Sequence, residues 1–236
     1  MSAKDSTVTG NQFAAADSPT TLRAAVGVFM SYRSPQILAA LAGASIVLRV
    51  FLGPLTALDL LVAATPILIW PFLEWFLHRY LLHLRPVEVF GWTLDFDFAR
   101  KHRIHHQQPW RPEHIFLPVY VHATLAPVLT LGAFWLLPQP GLAATWMAAL
   151  AGMTLLYEWT HFIVHSRIKP RSAFAQKLFQ NHRLHHFRNE HYWYSFTVPQ
   201  VDAMFGTAPD ATDVPRTPTC RTLEYGDVEA GTDRAA

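Results

Sequence analysis

Among 236 residues the chain has one cysteine, Cys220. That excludes an intrachain disulfide and any metal site built on several thiolates. A strong charge of either sign is also missing. Nineteen Lys and Arg against 17 Asp and Glu leave a net +2, too small to argue for a nucleic-acid partner. Residues 1–34 are rich in Ala, Ser, Thr and Asp. They have no basic start, apolar stretch and small-residue cleavage site in succession, so no signal peptide is expected and the N-terminus is expected to be kept. This polar N-terminal segment is expected to be disordered. After Thr207 the chain scatters Pro and Gly among charges without an apolar face, and 209–236 is expected to be a disordered tail.

What the sequence does hold is apolar length. Four runs, at 36–53, 57–77, 115–137 and 141–164, come near the roughly 20 residues needed to cross a hydrocarbon layer about 30 Å thick. Arg49, Asp59, Glu74 and Glu158 interrupt them, which keeps open a soluble protein with buried helices. The expected fold is an all-α integral membrane protein, with four transmembrane helices, a cytoplasmic histidine-rich helical cap, and one domain over 35–208.

The connections around Gly53 and Pro54, and from Pro138 to Gly141, carry neither Lys nor Arg. Arg79, Arg85, Arg100, Lys101, Arg103 and Arg111 follow the second run, and Arg167, Lys169, Arg171, Lys177, Arg183 and Arg188 follow the fourth. Positive charge collects on the cytoplasmic side of membrane helices, so both segments and both termini are expected there. Arg49 dissents near the far end of the first run, where its long side chain is expected to reach the opposite interface.

Ten of the 13 histidines cluster at or after the ends of the second and fourth runs: His78, His83, His102, His105 and His106, then His161, His165, His182, His185 and His186. "HRIHH" (102–106) and "HRLHH" (182–186) repeat the pattern H-x-x-H-H. On an α-helix, offsets of three and four residues keep side chains on one face, so each triplet converges its imidazoles. His161 and His165 share that geometry. His78 and His83 do not: an offset of five turns the second about 140° away, so the pair needs a helix end, a distortion or two different metals.

Neutral imidazole binds iron, zinc and copper well, and ten exceed what one ion can hold. Two ions account for all ten, and a paired redox metal suggests oxygen activation. A closed structural zinc site needs only four ligands. His122, inside the third run, reads as a hydrogen-bonded core residue, and His114 and His191 as structural or supporting groups. "EWFLH" (74–78) and "EWTH" (158–161) each precede one triplet, which suggests a degenerate duplication. Glu74 and Glu158 stand about one turn before a histidine. They are expected either to accept its second N–H or to pair with a nearby Arg.

With these residues in place, the chain resembles the fatty acid hydroxylase and sterol desaturase superfamily of membrane di-iron oxygenases, and within it the fatty acid 2-hydroxylases. "LEWFLHRYLLH" is similar to their first histidine box. "LLYEWTHFIVH" is similar to their third, with Glu158 where Asp is expected. "NHRLHHFRN" followed by "DAMFGT" (202–207) is similar to the end of their catalytic domain. The resemblance covers roughly 60–208. Two positions depart from it: Arg103 stands where Gly is usual, and Trp193, Tyr194 and Ser195 replace a small, Gly-containing segment.

The resemblance implies two iron ions held by the ten histidines, with zinc as an alternative occupant. It further implies O2 as co-substrate and electrons from an external donor, cytochrome b5-like or ferredoxin-like, with its reductase. The implied product is a 2-hydroxylated acyl lipid. Tyr192, Trp193 and Tyr194, with Trp92 and Trp110, are expected to line the substrate's path or to sit as interfacial aromatics. Two alternatives stand beside this: oxidation of a sterol, carotenoid or lipid head group by the same centre, and a membrane metal transporter or sensor. Transporters place ligands near the bilayer midplane, whereas these lie at the helix ends.

Overall fold

The computed structural model describes residues 15–223. α1 (Leu22–Phe29) starts at Thr21, whose hydroxyl accepts from the Ala24 N–H at 3.3 Å. α2 (Arg33–Phe51) and α3 (Ala57–Phe76) follow, and α3 runs on into a π-helical stretch, Leu77–Leu82. A short antiparallel hairpin, β1 (Val87–Val89) with β2 (Trp92–Leu94), leads to α4 (Asp97–Gln107). Then come α5 (Val119–Leu136), α6 (Pro140–Val164), α7 (Ala173–Phe187) and α8 (Gln200–Met204).

Among the described residues, four helical stretches are long and apolar enough to cross a membrane: Arg33–Phe51, Ala57–Leu82, Pro112–Leu136 and Pro140–Val164. Only 17–28% of each apolar window is buried within the protein. The rest faces outward, as with Val50 (72% exposed), Leu60 (75%), Leu68 (68%) and Leu131 (72%). A soluble protein does not leave such continuous apolar surface in water, whereas hydrocarbon solvates it. The fold is therefore an all-α membrane fold with four spans. α6 is its central helix and packs on α2 and α3. Gly141, Ala143, Ala144 and Ala151 are among its buried residues, small enough to let helix backbones approach closely where apolar burial gives no driving force.

Arg49 does not reach for the interface. Its guanidinium grips Asp59 with two bonds, Nε to Oδ1 at 2.6 Å and Nη2 to Oδ2 at 2.7 Å. It also donates to the Gly53 and Pro54 carbonyls at 2.8 and 2.7 Å. Asp59 accepts in addition from Thr145 of α6 at 2.5 Å, and with Thr56 forms the capping box of α3. Both charges are buried, at 7% and 4% exposure. The pair stitches the α2–α3 turn to α6, at the end of α3 opposite the histidines. A charge with a matched partner across the adjoining turn, ten residues on, pairs in preference to travelling.

The described parts of both terminal segments depart from the expected disorder. Within 1–34, Ala25 and Phe29 of α1 are 0% and 4% exposed, and Phe29 meets Phe116, Trp159 and Phe162 edge-on or tilted at 5.2–5.9 Å. Within 209–236, Val214, Cys220 and Leu223 are 4%, 1% and 3% exposed. Residues 1–14 and 224–236 of these two segments lie outside the described residues.

Removing one member of a buried ion pair leaves the other uncompensated, while replacing both by apolar groups of similar size is close to neutral. Asp59→Leu alone should therefore lower the thermal unfolding temperature in detergent clearly more than Arg49→Leu/Asp59→Leu does. Equal losses in the two variants would mean that the pair contributes only packing.

Candidate metal centre

The ten histidines meet at one end of the helices, in two groups of five. His78, His83, His102, His106 and His185 form the first, and His105, His161, His165, His182 and His186 the second. Within each group the ligand nitrogens all lie within 4.8 Å of one another.

Helix geometry explains the division. Setting His102 of α4 at 0°, His106 lies at about 40° and His105 at about −60°. The i and i+4 members therefore share a target, and the i+3 member aims at the neighbouring one. α7 repeats the arrangement: His182 and His186 go to the second group, His185 to the first. Each half of the chain thus gives four imidazoles to one group and one to the other.

The pair that an α-helix could not align is brought together by the π-helical stretch. Hydrogen bonds reaching five residues back widen the turn, so residues five apart come into line. The rings of His78 and His83 lie 5.1 Å apart and join the same group.

The Nε2 atoms converge closely. His78 to His102, His102 to His106, and His83 to His185 each measure 3.2 Å. In the second group, His161 to His105 is 3.0 Å, His182 to His165 2.8 Å and His182 to His186 3.1 Å. Three rings of the first group are fixed from behind. Nδ1–H of His78 donates to the Tyr194 carbonyl at 2.6 Å, that of His185 to the Tyr192 carbonyl at 2.8 Å, and that of His106 to the Cys220 carbonyl at 2.9 Å. A carbonyl only accepts, so the proton sits on Nδ1 and Nε2 presents a bare lone pair. Lone pairs aimed at one another across 3.2 Å fit a cation between them, and the all-nitrogen donor set fits iron or zinc. Phe196, 0% exposed, stacks on His161 at 4.5 Å and meets His182 at 5.1 Å, walling the second group.

Burial sets the protonation. His102, His105, His182, His185 and His186 are held well below the usual imidazole value, first by desolvation and then by repulsion from neighbouring imidazoles. Desolvation takes His106 and His165 down to about 3. The cluster is therefore neutral, the form that binds metal.

Among the described residues, the two glutamates do not touch imidazoles in the way expected, nor do they pair with an Arg. Glu74 accepts from the Phe196 and Thr197 N–H groups at 2.7 and 3.0 Å and from the Thr197 hydroxyl at 2.5 Å. Glu158 accepts from the Ser34 hydroxyl at 2.5 Å and the Leu117 N–H at 2.8 Å. His122 is held by the same Ser34, at 2.6 Å. His114 and His191 join neither group.

Sequence reasoning missed Asp202. It accepts from the Tyr194 and Ser195 N–H groups at 2.9 and 2.8 Å and from the Thr207 hydroxyl at 2.7 Å. Glu74 and Asp202 together grip 194–197, the turn whose Tyr194 carbonyl aims His78. Trp193, just before it, adopts φ +57, which is costly for a bulky residue and persists only where the surroundings fix it. Its N–H donates to the Thr207 carbonyl at 2.8 Å.

Of the residues at 192–194, Trp193 is buried at 1% exposure. Tyr194, 4% exposed, packs its ring 5.3–5.6 Å from His78, His83 and His185. Tyr192 is half-buried, Trp110 likewise, and Trp92 is 75% exposed on the hairpin. Arg103, the other departure, donates to Asp95 at 2.5 Å and to the Leu84 carbonyl at 3.2 Å.

The match to a family model described as fatty acid hydroxylase covers residues 63–207. A dihydroceramide fatty acyl 2-hydroxylase from Arabidopsis thaliana is 29% identical over 149 residues, covering 63% of this chain and 61% of that protein. The human fatty acid 2-hydroxylase is 23% identical over 139 residues, covering 59% and 37%. The chain thus spans about three fifths of the length of its Arabidopsis relatives. Among solved structures, full-length Scs7p, of which only the hydroxylase domain is visible, shares the fold with a TM-score of 0.59 at 21% identity, over 85% of this chain and 70% of that one.

The depressed imidazoles make stability pH-dependent. Unfolded imidazoles take up protons near pH 6.5, folded His106 and His165 only near 3. Between these values the unfolded state holds more protons, so stability falls as pH falls, by up to about 1.4 kcal/mol per pH unit for each such group. Metal binding pushes the same way, because protons compete for the ligands. The unfolding temperature in detergent should hold above pH 7 and decline from about 6.5 downward, with the buried carboxyl of Asp202, raised by burial to about 6, offsetting part of that decline. A flat profile between pH 7 and 5 would contradict a buried neutral cluster.

Proposed function

The chain belongs to the fatty acid hydroxylase family, and from this premise we propose that it is a membrane di-iron hydroxylase acting on the acyl chain of a lipid at carbon 2. The observation that carries this reading is the convergence of ten imidazoles into two groups of five at the end of four apolar helices. The relatives' names, fatty acid 2-hydroxylase and dihydroceramide fatty acyl 2-hydroxylase, support the substrate class.

His78, His83, His102, His106 and His185 would hold one iron, and His105, His161, His165, His182 and His186 the other. Bound there, the pair supplies the redox chemistry that activates O2 with two electrons from outside. The overall reaction takes a C–H bond, O2, two electrons and two protons to a C–OH bond and water. The protein's own part is to hold, orient and exclude. The carbonyls of 192, 194 and 220 aim three imidazoles, and Glu74 and Asp202 fix the turn that carries one of those carbonyls. His105, His106, His182, His185 and His186 are 0% exposed, in surroundings that keep bulk water from the reacting atoms. The spans let an acyl chain approach from hydrocarbon.

The basic residues after α3 and α6 support a cytoplasmic location for this end and for both termini. The proposed electron source is an external electron-transfer protein, cytochrome b5-like or ferredoxin-like, with its reductase.

Expression in a host without such lipids, with lipid mass spectrometry, tests the reading. The unaltered chain should add one oxygen at carbon 2 of acyl chains. Both His105→Ala and His185→Ala should abolish the product at normal protein abundance, since each removes a ligand that one half lends to the other half's group. Product on a sterol or head group would refute the substrate. Undiminished product in both variants would refute the centre.

A further inference from the structure

Residues 214–223 lie beyond 63–207, the stretch that matches the family model. They are sewn to both H-x-x-H-H helices. On the α7 side, the Thr217 N–H donates to the Arg188 carbonyl at 2.9 Å, Arg188 Nε donates to the Val214 carbonyl at 2.8 Å, and Asn189 Nδ2 donates to the Pro215 carbonyl at 3.2 Å. Glu190, 0% exposed, accepts from two threonine hydroxyls, Thr217 and Thr219, the latter at 2.5 Å. On the α4 side, the Cys220 carbonyl accepts from His106 Nδ1 at 2.9 Å, and Arg221 Nη2 approaches the Gln107 carbonyl at 3.4 Å. Val214, Cys220 and Leu223 anchor the segment by burial.

These contacts have a direction. Glu190 follows the α7 histidines by four residues and is a carboxylate in a fully buried place. Such a group needs donors, and the two threonines supply them. Fixing Thr217 and Thr219 fixes the next residue, and it is that residue's carbonyl that holds the proton of His106 on Nδ1. His78 and His185 receive the same service from the turn at 192–194, inside the matched region. His106 receives it only from this segment among the described residues.

We infer that residues 214–223 form a strap that positions His106, with Glu190, Thr217 and Thr219 as its positioning residues and the Cys220 main-chain carbonyl as its point of action. The inference rests on the reading that the histidine groups hold metal. It concerns the first group alone, since His106 belongs there. The backbone, not the thiol, does the work. Partners behind a ligand imidazole typically govern metal affinity by roughly 10–100-fold.

The test uses the full chain in detergent, loaded with zinc and challenged with a chelator, with metal per chain followed over time by elemental analysis. The unaltered chain should hold two zinc ions, both released slowly. In Thr217→Val/Thr219→Val, which keeps the shape but removes both hydroxyl donors, one of the two should leave at least about ten-fold faster while helical content stays unchanged. Thr217→Ser/Thr219→Ser restores the donors and should release metal as the unaltered chain does. Cys220→Ala keeps the carbonyl and should also behave as unaltered.

Two ions retained equally long by the valine variant would overturn the strap and leave the proposed function standing. Loss of both ions together with helicity would make the segment a general stabiliser and overturn its specific role. Faster release from Cys220→Ala would transfer the role to the thiol, against the inference. An unaltered chain that holds no zinc would overturn the metal reading and the strap with it.

Discussion

A neutral imidazole has one proton and one in-plane lone pair, on opposite nitrogens, so whatever accepts the proton aims the lone pair. Much of this protein's architecture at the histidine end follows from that constraint. The carbonyls of Tyr192, Tyr194 and Cys220 take the Nδ1 protons of His185, His78 and His106. Main-chain carbonyls suit the task because they cannot return the proton, and their placement is only as firm as the turn that carries them. The buried carboxylates of Glu74 and Asp202 are spent on that turn, and the strained backbone of Trp193 is tolerated because both flanking carbonyls are in use.

The membrane part serves the same end from a distance. The π-helical stretch that continues α3 and the end of α6 carry histidines of the site, and the Arg49–Asp59 pair, with Thr145, ties the opposite end of α3 to α6. A polar clasp at one end and a histidine cluster at the other leave the intervening lengths free to be apolar. Close contact through Gly141, Ala143 and Ala144 is what those lengths contribute. The π-helical stretch then rotates His83 into a set that a regular helix would have denied it.

The long elements were legible because they rest on one-dimensional rules. Span length follows from bilayer thickness, and convergence of H-x-x-H-H from 3.6 residues per turn. Even the misfit of His78 and His83 was visible as a misfit. What stayed hidden depended on pairing across the chain. That Arg49 meets Asp59, that Glu74 binds the backbone of 196–197, and that Glu190 meets Thr217 and Thr219 are facts of tertiary position. The carbonyl partners of the imidazoles were hidden more deeply, since every residue has a carbonyl and the side chain at 220 says nothing about it. Residues 209–223 looked like a tail because their buried apolar residues are few and unperiodic. The segment is held by hydrogen bonds together with three scattered buried residues, Val214, Cys220 and Leu223.

The exchange of His105 and His185 between the two groups bears on how the molecule is made. A nascent chain that has delivered only its first half presents four imidazoles of one set and one of the other. Its first complete quintet closes when His185 arrives, and the second when His186 follows one residue later. The two sets are therefore completed almost simultaneously, late in synthesis, and no order of emergence yields one finished set well before the other. Assembly of the pair is effectively a single event.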